Sequence, residues 1–338
     1  MIVRDLANRR AVALAAAATA AVLLAATGCS SSGSSASAGG SAASGKNLTF
    51  VAGKTGDPFY ITMKCGATAE AKKLGYSFNA TGSADWSVPE QVSSVNSVTA
   101  TRPKGVLISP VDPNSLAAPI KTLQSAGAKV AIVDTSLTDG SIGVTHISSN
   151  NQQGGQKAAE TLAKLTGDQG EVVVLTPDLT TVTTNARIDG FKQELTAKHP
   201  NVKIVDIRQV GDSAQGAASA VSAVLAAHPG LVGVFTANSQ TGEGVSTGLK
   251  NAGKQGQIKV VSFDAGPQQV QALKNGAVDA LISQDPYGIG QQAVDQLDAA
   301  LTGKQVTATL QTDLAGITRD NLDDPSIARF LYKADCGS

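Results

Sequence analysis

The sequence predicts an α/β protein of two Rossmann-like lobes, each a parallel sheet covered by helices. Short β-branched runs alternate with helical patterns from Leu48 onward, which is how parallel strands joined by crossover helices read. Nine strand candidates are more naturally two sheets than one, and 338 residues suit two domains of roughly 100–200 residues each. Lys+Arg 27 balance Asp+Glu 27 with no basic run, which argues against a nucleic-acid partner held by counterion release. A hydrophobic content of 42% excludes wholesale disorder, and its distribution excludes a polytopic membrane protein.

The amino terminus is an address rather than part of the fold. Arg4, Arg9 and Arg10 precede an uncharged apolar stretch from Ala11 to Thr27, then Gly28-Cys29, so residues 1–28 read as a signal peptide with cleavage before Cys29. The segment resembles a bacterial lipoprotein signal with Ala26 in place of the usual Leu, and lipid on Cys29 is expected; a plain signal peptide or a short anchor helix is the alternative. Ser30 to Gly45 contains only Ser, Gly and Ala, so 29–46 is a tether reaching about 20–24 Å.

Strands follow at Leu48 to Ala52, Tyr76 to Asn79, Gly105 to Ile108 and Val130 to Val133. Between them Phe59, Met63, Ala67 and Ala71, then Val88, Val92 and Val95, then Leu116, Ile120 and Leu123 repeat at helical spacing. A second series begins after Ser148, with strands near Glu171 to Leu175, Val202 to Ile207, Leu231 to Phe235, Ile258 to Phe263 and Asp279 to Ser283. Ala217, Val221, Val224 and Leu225 mark one helix there, and Ile289, Ala293, Leu297 and Leu301 another. Open α/β sheets bind ligands beyond the carboxyl ends of their strands, so polar residues after strands matter most.

Catalytic and cofactor patterns are missing. His199-Pro200 and His228-Pro229 read as helix ends, and His146 has no partner at metal-ligand spacing. Gly53-Lys54-Thr55 resembles the tail of a phosphate loop, but Leu48 stands where its first glycine belongs, and Pro58 opens a helix instead. Gly242, Gly244 and Gly248 have one residue too many for a dinucleotide fingerprint; they are the feature that would support the rival reading, an exported nucleotide-dependent oxidoreductase. Cys65 and Cys336, an isolated pair in an exported protein, read as a disulfide, with two free thiols as the alternative.

The strand ends carry binding chemistry. Asp57, Phe59 and Tyr60 follow the first strand, and Trp86 follows the second. Asp134, Asn238, Asp264 and the Gln284-Asp285 pair follow later strands. Carboxylates and amides exchange hydrogen bonds with hydroxyls, and an aromatic face covers the C–H side of a sugar ring. Any one Asp or Asn after a strand is more often a helix cap or turn former; several at matched positions in two lobes favour a ligand.

The ordered set Asp57-Pro58-Phe59-Tyr60, Ile132-Val133-Asp134, Asn185-Ala186-Arg187 with Gly190-Phe191, Val234-Phe235-Thr236-Ala237-Asn238, Val261-Ser262-Phe263-Asp264 and Ile282-Ser283-Gln284 resembles the periplasmic sugar-binding proteins of the ribose-binding type. The resemblance covers about Leu48 to Asp313. It implies two lobes joined by a three-strand hinge, with lobe one at 47–148 plus 285–313 and lobe two at 149–284 plus 314–338. It implies that Phe59 and Tyr60 stack on the sugar, that Asp57, Ser109 and Asp134 contact it from lobe one, and that Arg187, Asn238, Asp264 and Gln284 contact it from lobe two and the hinge. Trp86 is a further stacking surface or a packed loop aromatic, and Arg187 is alternatively a helix-start salt-bridge residue. Thr135, a further expected ligand contact beside Asp134, stands where ribose binders carry Arg, and Ser239 where they usually carry Asp, which counts against ribose itself; the expected solute is a monosaccharide or related polyol. The expected protein is a monomeric, lipid-tethered partner of an ABC-type permease, without enzymatic activity or cofactor; a sugar sensor is the same fold used otherwise.

Overall fold

The computed structural model describes residues 45–337. The expected signal segment 1–28, the expected lipidation site Cys29 and nearly all of the expected tether lie outside the described residues. Chain order is β1 (Asn47–Ala52), α1 (Pro58–Lys73), β2 (Ser77–Gly82), α2 (Val88–Thr101), β3 (Gly105–Ile108), α3 (Ala117–Ser125), β4 (Lys129–Val133), β5 (Thr145–Ser149) and α4 (Asn151–Leu165). It continues with β6 (Gly170–Thr176), α5 (Val182–Lys198), β7 (Val202–Gln209), α6 (Ala214–Ala227), β8 (Leu231–Thr236), α7 (Ser239–Asn251), β9 (Lys259–Phe263) and α8 (Pro267–Lys274). β10 (Ala280–Gln284), α9 (Pro286–Thr302), β11 (Thr309–Thr312) and β12 (Leu314–Ile317) complete the fold, followed by a 3₁₀ turn at Ala328–Phe330.

Two six-stranded sheets result, in the orders β11-β5-β4-β3-β1-β2 and β12-β10-β9-β8-β6-β7. Every pairing is parallel except β12 with β10, where Leu281 faces Ile317 and Gln284 faces Leu314. Leaving out the last-formed edge strands, both lobes share one doubly wound order, which reverses between β1 and β3 and again between β6 and β8. Ligand crevices form at such reversals, because the crossover helices diverge to opposite faces of the sheet there.

The central strands are apolar because helices cover both faces. Val172, Val173 and Val174 are fully buried, as are Leu107 and Ile108. Helix starts are set locally: Asp57 caps α1 by accepting from the Phe59 amide at 2.8 Å, with Pro58 at the first helical position. Each lobe has an apolar cluster on either side of its sheet.

The chain passes between the sheets at 149–151, 284–286 and 312–314. The strands at these crossings, β5, β11 and β12, escaped the sequence reading. Thr145-His146-Ile147-Ser148-Ser149 is polar for a strand, and the other two span four residues each. The tail differs from the expectation that 314–338 stays with lobe two. Phe330 lies in the core of lobe two, but Tyr332 packs with Phe59 and Met63 of lobe one, and Cys336 is joined to Cys65 on α1 by a disulfide. Among the described residues, no helix is long and apolar enough to cross a membrane.

Candidate functional site

Between the lobes lies a cavity of about 90 Å³, lined by Phe59, Tyr60, Trp86, Asp57, Asp134, Arg187, Asn238, Asp264 and Gln284 among others. One water needs about 10–15 Å³, so the space suits a small solute and not a polymer. The lining comes from the carboxyl ends of β1, β2, β4, β6, β7, β8, β9 and β10 and the segments that follow them, which is where the two sheet reversals point.

The aromatic wall is built on lobe one. Tyr60 meets Phe59 edge to face at 5.1 Å between centroids and lies nearly parallel to Trp86 at 6.4 Å. Gly53 permits this arrangement, since a Cβ there would overlap the Trp86 ring and the Tyr60 hydroxyl. The glycine read as a failed phosphate-loop residue thus makes room for the aromatic wall.

Two aspartates occupy equivalent positions in the lobes. Asp134 ends β4 with φ 62°, and Asp264 ends β9 with φ 77°, a left-handed backbone that Asp tolerates better than most residues. Each amide donates to the next strand, Asp134 to the Ile147 carbonyl and Asp264 to the Ile282 carbonyl, both at 2.8 Å. The turn lifts each carboxylate from the sheet edge into the cleft.

Their surroundings differ. Asp134 accepts from Tyr60 at 2.7 Å and Ser109 at 3.1 Å through one oxygen, Oδ2. Burial raises its carboxyl above the ordinary range, opposed by the Tyr60 bond and the charge of Arg187. Asp264 accepts from Gln284 Nε2 at 2.7 Å and the Tyr332 hydroxyl at 2.8 Å through Oδ1, and from the Ser239 amide and hydroxyl through Oδ2. Gln284 Oε1 is buried without a hydrogen-bond partner among the described residues.

Arg187 is 4% exposed and lies in the second turn of α5. Its Nε donates to Asn151 at 2.8 Å, one terminal nitrogen donates to the Ala237 carbonyl at 2.7 Å, and the guanidinium covers the Phe263 ring at 3.8 Å. No carboxylate among the described residues forms a salt bridge with it, which sets aside the helix-start ion pair. The result is a buried cation fixed beside the cavity.

Two expected contacts are placed away from the cavity, and a third has a structural role beside it. Ser109 is fully buried and Thr135 is 4% exposed; neither lines the cavity. Ser109 supports Asp134 and Tyr60, and Thr135 donates to the Pro110 carbonyl at 2.6 Å. Asn238 does line the cavity, but its oxygen caps α7 by accepting from Thr241, and its amide donates to Asp212 and Gln240. The helix-cap role competes with ligand contact at this residue.

Other lining residues were missed: Lys54, Asp178, Thr181, Thr184, Asp212 and Gln240. Asp178 and Asp212 follow β6 and β7, so the strand-end rule would have found both. Lys54 and Gln240 also follow strands, β1 and β8, but their partners lie on the opposite lobe. Lys54 pairs with Asp212 at 3.0 Å, and Gln240 donates to Asp57 at 2.9 Å.

Titration follows from this closure. Burial pushes Asp57 up to about 6, against the pull of its bonds from Gln240 and the Phe59 amide. Burial, with the charge of Asp57, pushes Glu243 on α7 from 4.5 to about 7. A carboxyl held above its ordinary value favours the folded chain in its protonated form, so this contribution is present below pH 4.5 and is lost as pH rises through 7. Glu243→Gln is therefore expected to melt above wild type at pH 8 and level with it at pH 4. Differential scanning fluorimetry of both proteins checks this; an equal gap at the two pH values would show an ordinary carboxyl.

The remaining motifs serve the fold. His199 and His228 cap the carboxyl ends of α5 and α6, and none of the three histidines lines the cavity. Added Cβ atoms at Gly242, Gly244 and Gly248 would overlap Ser262, Ala214 and Val221 respectively, so these glycines let α7 approach its neighbours. Among the described residues, no cluster of His, Cys, Asp and Glu could hold a metal.

Two matched lobes closing on a polar, aromatic-walled cavity define a two-lobed solute-binding scaffold. Residues 48–305 match the periplasmic binding protein domain, and the chain belongs to that family. It is 31% identical over 267 residues to the ribose import binding protein RbsB of Salmonella typhimurium, covering 79% of this chain and 88% of that protein. An ABC transporter solute-binding protein from Agrobacterium vitis, bound with α-D-tagatopyranose, is 37% identical with a TM-score of 0.82, over 85% of this chain and 99% of that one. A solute-binding protein from Burkholderia graminis in complex with D-arabinose is 29% identical with a TM-score of 0.78, over 83% and 98% of the two chains.

Proposed function

We propose that this protein is the exported substrate-binding component of an ABC-type importer, enclosing one monosaccharide or related polyol between its lobes. The observation that carries the reading is the interlobe cavity itself, which sets aromatic faces opposite carboxylates, an amide acceptor without a partner and a buried guanidinium. Apolar ring faces and hydroxyls are what such a wall accepts. The sugars named for the relatives support the same class of solute. Ribose is disfavoured: Thr135 turns away from the cavity, and Ser239 donates to Asp264 where an acidic residue would have accepted.

Binding works through closure. Contacts from both lobes exist together only when the cleft is shut, so the ligand shifts the population toward the closed state. A buried hydroxyl gains about 1 kcal/mol per good hydrogen bond, and a mismatched stereocentre leaves a partner unpaired at greater cost. The closed, loaded form is the species a permease would engage. Lipid on Cys29 and the Ser/Gly/Ala tether would hold this monomer at the outer face of the cytoplasmic membrane. No step of this activity calls for an enzyme's nucleophile or for a cofactor.

The test is a thermal-shift screen of the full chain against D-tagatose, D-arabinose, D-ribose, D-allose, polyols, nucleosides and NAD(P). Saturating a site at a thousandfold excess over Kd adds about 4 kcal/mol of stability. The expected result is a shift of several degrees with one sugar or polyol. A shift confined to dinucleotides would overturn the proposal in favour of the oxidoreductase.

A further inference from the structure

We propose that the C-terminal tail is a disulfide-anchored strap between the lobes, and that its Tyr332 is a positioning residue for Asp264. The tail lies beyond the residues 48–305 that match the family domain. Its first half belongs to lobe two: Ile327 and Phe330 are buried in that core, and Ser283 donates to the Phe330 carbonyl at 2.6 Å. Its last residues belong to lobe one. Lys333 donates its amide to Thr62 on α1 at 2.7 Å, and Cys336 is bonded to Cys65 one turn further along that helix.

Tyr332 sits at the changeover and touches both lobes. Its backbone amide donates to the Ala265 carbonyl at 3.0 Å, and its hydroxyl donates to Asp264 at 2.8 Å and accepts from the Gln284 backbone amide at 3.3 Å. Its ring meets Phe59 at 5.7 Å. One side chain thus links the aromatic wall of lobe one to the carboxylate of lobe two from behind the cavity. A buried hydroxyl bonded to a carboxylate is a strong, directional restraint.

The disulfide gives this contact a mechanical consequence. Four residue steps separate Tyr332 from Cys336, a reach of at most about 14 Å at full extension. While Tyr332 holds Asp264, α1 can move from lobe two only within that limit. The strap therefore restricts opening of the ligand-free protein and keeps Asp264 aimed at the cleft. With the bridge gone, the tail moves with lobe two and the three remaining crossings open further.

The inference rests on the sugar-binding reading only for its ligand arm, so two arms are needed. In the first, hydrogen exchange by mass spectrometry compares the ligand-free full chain with Cys65→Ser/Cys336→Ser and with Tyr332→Phe. Should the double cysteine variant not fold, wild type reduced with a phosphine provides the same comparison. Loss of the bridge is expected to speed exchange about fivefold or more at the crossings near 149–151, 284–286 and 312–314, with β3 and β8 unchanged. Tyr332→Phe is expected to speed exchange at 263–266. Unchanged exchange at these segments overturns the strap, as does an increase spread evenly over both lobes.

In the second arm, Tyr332→Phe is titrated with D-tagatose, or with whichever sugar shifts wild type most. About tenfold weaker binding at an unchanged ligand-free melting temperature supports a positioning role. Equal affinity, or a loss matched by a lower melting temperature, overturns it. If no sugar binds wild type, the proposed function fails on its own, and the exchange arm still decides the strap.

Discussion

Asp264→Ala is expected to weaken sugar binding by at least about a hundredfold, a loss of about 2.7 kcal/mol, while the lobes remain folded. The carboxylate organises four donors from three parts of the chain: Ser239 at the start of α7, Gln284 at the hinge and Tyr332 from the tail. Its removal frees the Gln284 amide, whose other atom is already without a partner. The polar floor of the site then has no fixed geometry, and the free energy of ligand binding has to reorder it. Asp264→Asn is the control, because Asn also tolerates the 77° φ and keeps one acceptor. Isothermal titration with the sugar identified by the screen measures both variants; an affinity for Asp264→Ala within threefold of wild type would remove Asp264 from the site.

The second large effect concerns folding. Gly155→Leu is expected to yield no folded protein, or one whose melting temperature falls by about 10 °C or more, a cost above about 4 kcal/mol. A Cβ at Gly155 on α4 would overlap the Arg187 carbonyl on α5, and one at Gly190 on α5 would overlap the Gln152 carbonyl on α4. The glycines are reciprocal, each receiving the other helix's backbone. Lobe one repeats the device, with Gly66 on α1 against Tyr287 and Gly290 on α9 against Met63. Backbone cannot swing aside as a flexible side chain can, so relief requires separating the helices and unpacking Ile188, Phe191 and Leu195 beneath them. Any variant that still folds would carry Arg187 on a displaced helix and bind sugar more weakly. Gly316→Ala is the contrast: a Cβ there meets nothing within 4 Å, and its melting temperature should stay near wild type. A melt of Gly155→Leu as high as that of Gly316→Ala would refute the close-packing account.

Periodicity alone gave most of the architecture. Val172 to Leu175 and Gly105 to Ile108 are strands because unbroken apolar runs of that length bury both faces, and Pro58 after Asp57 starts a helix because its fixed φ suits that position. The same reading located Asp134, Asp264 and Gln284, since residues after strand ends must emerge into the crevice. It failed at β5, β11 and β12, whose polar or very short sequences become strands only because a sheet edge is already present to pair with.

What the sequence determined by itself is therefore local: which segments are strands and helices, where the strand ends fall, and that their chemistry suits hydroxyls and ring faces. Tertiary structure decided which of those residues meet. Ser109 and Thr135 sit at a strand end yet turn inward, because Asp134 and the Pro110 carbonyl hold their hydroxyls. Lys54 and Gln240 are fixed in the site by partners on the opposite lobe, Asp212 and Asp57. Tyr332 reaches Asp264 across 68 positions of sequence. Contacts of that separation leave no spacing to read, since their partners are chosen by the path of the whole chain.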